Sequence, residues 1–200
     1  MKKNKSIILV DDLLDTNEFE NLKEYCFENR RFSALEKGDH IYYVANAPQE
    51  VIDKVTSHLE EIYNTKINNI VCFLRLASSF YDTDLRIHCD NGNVGTDFAP
   101  THGGVFYITS GKEEINGTAF WQHNKYGYVC PSNFTDEDIQ KKIMCDKDDS
   151  SKWNLSTIIG GVPNRLVCYP SQYFHSKYPR VMNGLTPKQS RIVLVTFFKI

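Results

Sequence analysis

Extended apolar runs are missing from this sequence. The first of any note, Ile7-Ile8-Leu9-Val10, is cut off by Asp11-Asp12, far short of a secretory signal core or of the roughly 20 residues of a membrane helix. Paired cysteine motifs are missing too. Cys26, Cys72, Cys89, Cys130, Cys145 and Cys168 are scattered, with no C-x-x-C among them. That argues against a structural zinc site or disulfide framework and for a reducing compartment. There is no excess of basic charge: 23 Lys+Arg face 25 Asp+Glu, for a formal net charge of -2. A chain built to grip nucleic acid or an anionic membrane would carry the opposite balance. Repeats and linkers are also absent. The expectation is a soluble, cytoplasmic protein of one domain, residues 1–200, long enough to bury a sizeable core.

What is present changes character along the chain. Ser6 to Val10 is a short β-type run. Thr16 offers an N-cap for a helix with Glu18 and Glu20 in its first turn and Phe19, Leu22 and Cys26 on one face. His40 to Val44 is a strand candidate. Pro48 suits the start of a second helix, in which Val51, Val55, Leu59 and Ile62 recur at helical spacing. Residues 1–66 thus read as a helical support region. From Ile67 onward the chain breaks into short β-branched and aromatic runs: Ile70 to Leu76, Leu85 to Asp90, Gly104 to Thr109, Thr118 to His123, Leu155 to Ile159, Arg165 to Tyr169, Tyr173 to Lys177 and Arg191 to Phe198. Turn residues such as Asn91-Gly92, Ser110-Gly111, Asn116-Gly117 and Pro163-Asn164 bound them. Two helices followed by about eight strands fit a mainly β, α+β chain, a double-stranded β-helix of the jelly-roll form shared with cupins. Residues 124–152 interrupt it as a polar insertion, either a lid or an excursion. Within it Thr135-Asp-Glu-Asp138 resembles a capping box ahead of Ile139 and Ile143.

The chemistry concentrates in Arg86-Ile87-His88-Cys89-Asp90. On an extended strand His88 and Asp90 share a face and Cys89 points the other way. An imidazole and a carboxylate on one edge make two-thirds of a facial metal triad. His175, 85 residues beyond Asp90, is the candidate for the missing imidazole. Arg191 follows 16 residues later, a charge at the head of the apolar run Ile192 to Phe198. Arg75, inside Phe73-Leu-Arg-Leu76, needs a partner, and a neighbouring or substrate carboxylate would serve. His102 and His123 read as ordinary hydrogen-bonded or exposed histidines, with a second reading of His123 at the cavity mouth. The residues alone leave three classes open: an iron oxygenase, a zinc or nickel cupin-like hydrolase or isomerase, and a jelly-roll binding module without catalysis.

Taken in order, residues 70–200 resemble the Fe(II)/2-oxoglutarate-dependent oxygenases, in their prolyl 4-hydroxylase-like branch, with a weaker echo in Ile7 to Leu13. His88-Cys-Asp90 matches that family's H-x-D, and Val105-Phe-Tyr107-Ile matches the strand whose tyrosine meets the co-substrate. Asn116-Gly-Thr118-Ala-Phe120 matches its G-G-x-T-x-F turn with Asn116 for the first glycine. Arg165 to His175 matches the segment that delivers the distal histidine. The resemblance implies that His88, Asp90 and His175 ligate Fe(II). It implies that Arg191, aided by Tyr107 and Thr118, binds the far carboxylate of 2-oxoglutarate, and that O2 is the oxidant. Hydroxylation of a peptide or protein side chain, or of a small amino-acid-like substrate, is the implied reaction. Two departures bear on this. The interval from His175 to Arg191 is longer than usual in that branch, with Val181 to Lys188 read as extra loop. The second arginine of the nucleic-acid demethylases is replaced by Phe197, so no nucleic-acid partner is expected. Asp90 stands where the halogenating branch has a small residue, which points to hydroxylation.

Overall fold

The computed structural model describes residues 6–28, 31–37, 40–82, 84–90, 98–110, 116–127, 137–181 and 184–200. The expectations placed on Asn91-Gly92, Gly111, Cys130 and Thr135-Asp136 lie outside the described residues. Helix α1 (Thr16–Phe27) is capped by Asp15 and not by Thr16. The Asp15 carboxylate accepts the Glu18 N–H at 2.9 Å, and the Glu18 side chain accepts the Asp15 N–H at 3.3 Å. A carboxylate there also meets the positive end of the helix dipole, which a threonine hydroxyl does not. Helix α2 (Gln49–Tyr63) follows Pro48, which occupies the N-cap position itself, and ends on Asn64 in the left-handed region.

The described strands form two antiparallel sheets. In the larger, the spatial order is β1 (Ile8–Val10), β8 (Leu166–Pro170), β5 (His102–Ser110), β10 (Arg191–Phe198), β4 (Ile70–Ala77), β3 (His40–Ala45) and β2 (Ser33–Lys37). The smaller holds β7 (Trp153–Gly160), β6 (Gly117–His123) and β9 (His175–Tyr178). This is the double-stranded β-helix. The first 66 residues supply strands β1 to β3 to the larger sheet as well as two helices. Among the described residues no helix is long and apolar enough to cross a membrane.

Period-two alternation decides what each face meets. Phe106 and Ile108 of β5, Leu166 and Cys168 of β8, and Ile192 and Leu194 of β10 are fully buried against Phe19, Leu22, Val55 and Leu59 of the two helices. Each such side chain contributes about 1.5–3 kcal/mol by leaving water. The intervening Val105, Tyr107, Val167, Tyr169 and Val193 point the other way, toward the smaller sheet and Phe120. Both faces of the central strands are therefore covered, which is why these runs are apolar almost throughout.

Two elements depart from the sequence pattern. Leu85 to Asp90 is not a laddered strand; it meets β9 only through a bridge between His88 and His175. Aspartate side chains take backbone donors that a ladder would use: Asp82 Oδ1 accepts the Asp84 N–H at 3.3 Å, and Asp84 Oδ1 accepts the Arg86 N–H at 3.1 Å. The insertion, in turn, is docked. Its helix α3 (Glu137–Asp146) packs Ile143 beside Ile87, Phe174 and Trp153, the last being the first residue of β7 in the smaller sheet.

Candidate metal centre

His175 is the first residue of β9, and the backbone of His88 is fastened to it in both directions. The His88 N–H donates to the His175 carbonyl at 2.9 Å, and the His175 N–H donates to the His88 carbonyl at 2.8 Å. The Asp90 N–H donates to the Ser171 carbonyl at 2.7 Å, which fixes the other end of the short segment. These bonds bring ligand atoms of His88, Asp90 and His175 within 4.8 Å of one another. Asp90 Oδ2 lies 3.2 Å from His175 Nε2, and Asp90 Oδ1 lies 3.7 Å from His88 Nε2.

Both imidazoles are oriented by the backbone. His175 Nδ1–H donates to the Tyr173 carbonyl at 2.9 Å, and His88 Nδ1–H donates to the Arg86 carbonyl at 3.2 Å. Each ring thereby presents Nε2 toward Asp90, the arrangement that outer partners impose on metal-binding histidines. Burial opposes charge on both rings, but the Asp90 carboxylate against His175 prevails and raises its pKa. Burial and the neighbouring His175 push His88 down to about 4. Asp90 stays below the usual carboxylate range, since the two histidines outweigh its burial. Space for this carboxylate depends on Gly103 of β5. A Cβ there would lie 3.0 Å from Asp90 Oδ2 and 3.2 Å from the Tyr169 ring. The Tyr169 hydroxyl is itself 3.1 Å from His175 Nε2.

The three residues open on a cleft between the sheets that Val105, Val193, Val195 and Phe197 also line. Arg191 and Thr118 line it as well. Tyr107 stands one layer behind: its hydroxyl bonds to Thr118 Oγ1 at 2.6 Å, and the Arg191 guanidinium carbon lies 5.6 Å from its ring centre. Arg191 is buried, and its Nε has no hydrogen-bond partner among the described residues. The long loop before it closes on itself. Gly184 has φ +84°, and a Cβ there would strike the Gln189 carbonyl at 2.3 Å, so only glycine fits this reversal. The Ser190 hydroxyl then donates to the Thr186 carbonyl at 2.7 Å, and Arg191 opens β10 at the cleft.

Other sequence candidates lie elsewhere. His102 is buried on the helix side of the larger sheet, between the rings of Tyr63 and Phe198 at 5.1 and 5.5 Å. His123 does not face the cavity mouth. Its Nδ1 accepts the Lys125 and Tyr126 N–H groups, so its Nε2–H donates to Asp146 at 3.2 Å and ties α3 to the smaller sheet. Arg75 finds its carboxylate seven residues on. Its Nη2 donates to Asp82 Oδ1 at 2.7 Å, Nε also bonds to Asp82, and Asp84 is 3.8 Å away.

That pair belongs to a cluster the sequence reading missed: Arg75, Asp82, Asp84, Arg86 and Tyr42. Arg86 Nε donates to Asp84 at 2.7 Å, and the Tyr42 hydroxyl donates to Asp84 at 3.1 Å. The spacing Asp82-x-Asp84-x-Arg86 just upstream of His88 was its available signal. Burial would raise the Asp84 pKa, but the Arg86 hydrogen bond and the surrounding cationic groups hold it far below the usual range. A depressed folded-state pKa contributes stability that is present above the unfolded value and fades as pH falls through and below it. The melting temperature of the wild type should therefore drop steeply below about pH 4. Asp84→Asn should be less stable at pH 7 but flatter with pH; parallel melting curves for the two would refute this.

No protein-family model matches the sequence, and no curated protein does. Solved structures share the fold. A prolyl-4-hydroxylase of Pseudomonas putida aligns at TM-score 0.57 and 11% identity, over 98% of this chain and 92% of its own. The non-heme alpha-ketoglutarate-dependent carbocyclase SnoK from nogalamycin biosynthesis aligns at TM-score 0.60 and 10% identity, over 97% and 79%. EvdO2 from Micromonospora carbonacea var. aurantiaca, complexed with 2-oxoglutarate, aligns at 0.56 and 11%, over 97% and 86%.

Proposed function

We propose that this chain acts as a single-domain Fe(II)- and 2-oxoglutarate-dependent dioxygenase. It would hydroxylate an unactivated C–H bond in a peptide or protein side chain, or in a small amino-acid-like substrate. The observation that carries the reading is the convergence of His88, Asp90 and His175 to within 4.8 Å at the wall of a cleft that also holds Arg191. Two neutral nitrogen donors and one carboxylate on a single face suit Fe(II) with open positions left over. Arg191, whose Nε–H has no partner among the described residues, suits a planar carboxylate, which a guanidinium meets with two parallel hydrogen bonds. The fold neighbours include a prolyl-4-hydroxylase and a protein complexed with 2-oxoglutarate.

When bound, iron supplies the oxygen chemistry overall: 2-oxoglutarate, O2 and substrate give succinate, CO2 and a product with one added oxygen atom. The chain's own part is to hold and to exclude. His88 and His175 would hold the metal through Nε2, because their Nδ1–H groups are fixed on backbone carbonyls, and Asp90 would balance part of its charge. Thr118, held by Tyr107, and Arg191 define the end of the cleft that receives the far carboxylate. Val105, Val193, Val195 and Phe197 keep its lining dry, which strengthens each of these polar contacts.

The test is succinate release. Protein loaded with one Fe(II) per chain, given 2-oxoglutarate and O2 and screened over peptides and free amino acids, should form succinate and add one oxygen atom to a substrate. Zinc-loaded protein should form none. An iron-loaded protein that releases no succinate under any of these conditions would defeat the proposal.

A further inference from the structure

Tyr169 of β8 carries a hydroxyl into a layer that otherwise calls for an apolar ring. Its neighbours there are Val105, Val167, Val193 and Phe120, and its ring meets that of Phe120 edge-on at 5.2 Å. The residue is 2% exposed. Phenylalanine would pack in this place at less cost, since a buried hydroxyl must find a partner. The partner found is His175 Nε2 at 3.1 Å, the only hydrogen bond the hydroxyl makes among the described residues.

That nitrogen is the one a metal needs. His175 Nδ1–H is committed to the Tyr173 carbonyl, so Nε2 offers a single lone pair, and a metal bound there takes it from the hydroxyl. The phenol oxygen is then left buried beside the metal. Its spacing suits a second role. Two donor atoms at right angles around one metal, each on a bond of ~2.1 Å, stand ~3 Å apart. Asp90 Oδ2 lies 3.2 Å from the same Nε2, so the carboxylate oxygen and the phenol oxygen keep the same remove from it. Both groups also close over Gly103, where a Cβ would lie 3.0 Å from Asp90 Oδ2 and 3.4 Å from the ring carbon that bears the Tyr169 hydroxyl.

Resting on the reading of His88, Asp90 and His175 as an iron site, we propose that Tyr169 is a fourth protein ligand, used by the oxidised metal. On Fe(III) the phenol oxygen bonds to iron, its O–H bond breaks and the proton leaves to solvent. Fe(II), with one charge less, leaves the phenol protonated and a weak donor, so the open positions stay open. Tyr169 thereby keeps an oxidised centre closed and retained until a one-electron reductant returns it to Fe(II) and the oxygen regains its proton.

The test is the colour of the ferric protein. The metal-free chain, given Fe(III) as its citrate complex with no 2-oxoglutarate or substrate present, should develop a phenolate-to-iron charge-transfer band in the visible. Resonance Raman scattering excited in that band should show tyrosine ring modes, and dithionite should bleach it. Tyr169→Phe keeps the ring and its packing. It should bind Fe(II) at one per chain, show no such band, and lose Fe(III) to citrate at least about tenfold more readily than the wild type. A wild type that holds one Fe(III) per chain without the band, or a Tyr169→Phe protein that keeps the band, overturns the proposal and leaves the iron-site reading standing. So does a variant that no longer takes up Fe(II), since Tyr169 would then support the whole site and not its oxidised form. A wild type that binds neither Fe(II) nor Fe(III) brings down both.

Discussion

In His175→Ala, succinate formation should fall by more than about a thousandfold, beyond the ~10–100-fold typical for loss of a residue that merely supports a ligand. Stoichiometric Fe(II) binding should be lost with it. The substitution is clean because the bridge to His88 uses the peptide groups of residue 175 and survives in alanine. What disappears is the imidazole Nε2 that faces Asp90 at 3.2 Å. The metal content of the purified variant and its rate in the succinate assay are the measurements. A variant that keeps its iron and turns over near the wild-type rate would remove His175 from the centre altogether.

Asp82→Asn should cost stability more than any other single change outside the hydrophobic core. The Asp82 side chain is fully buried, and it is the main partner of the Arg75 guanidinium. Asparagine tolerates the left-handed backbone of this position, where φ is 57°, so the change isolates charge from conformation. Breaking a buried pair by removing one member costs about 3–5 kcal/mol. The low end applies here, because Asp84 remains 3.8 Å from Arg75. For a chain of this size that is a fall of roughly 10 °C in melting temperature. Adding Arg75→Met removes the stranded cation and should recover much of the loss, since a buried ion pair is often replaceable by apolar groups. A single variant that melts with the wild type, or a double variant worse than the single, would show that the pair is not what holds this corner.

How much of this was readable in advance follows from the range of the forces involved. The inner faces of α1 and α2 follow from spacing, since Phe19, Leu22, Val55 and Leu59 have only one side on which to hide. The central strands follow from their apolar runs. The three candidate ligands were legible because H-x-D fixes its own geometry, and because one histidine stood at the right remove on a run of β character. Strand β2, Ser33–Lys37, was not legible: it is an edge strand paired on one side only, so nothing apolar marks it. The segment before His88 looked like a strand because side-chain capping by Asp82 and Asp84 leaves the pattern of residues unchanged. His102 and His123 depended on which face their strands turned outward. Lys177 reads as a solvated lysine in sequence, and its place on the cleft wall follows only once the larger sheet faces β9.

The two-way bond between residues 88 and 175 separates the geometry of the centre from the length of chain that connects its parts. Residue 175 is held where 88 can reach it by peptide groups alone, so a segment added or exchanged at the rim need not pull the imidazoles apart. The rim can then be remodelled as a replaceable fitting. Lengthening a turn between two strands of the span from Asp90 to Ser171, such as the turn after His123, should leave the affinity for iron unchanged so long as the strands themselves are kept.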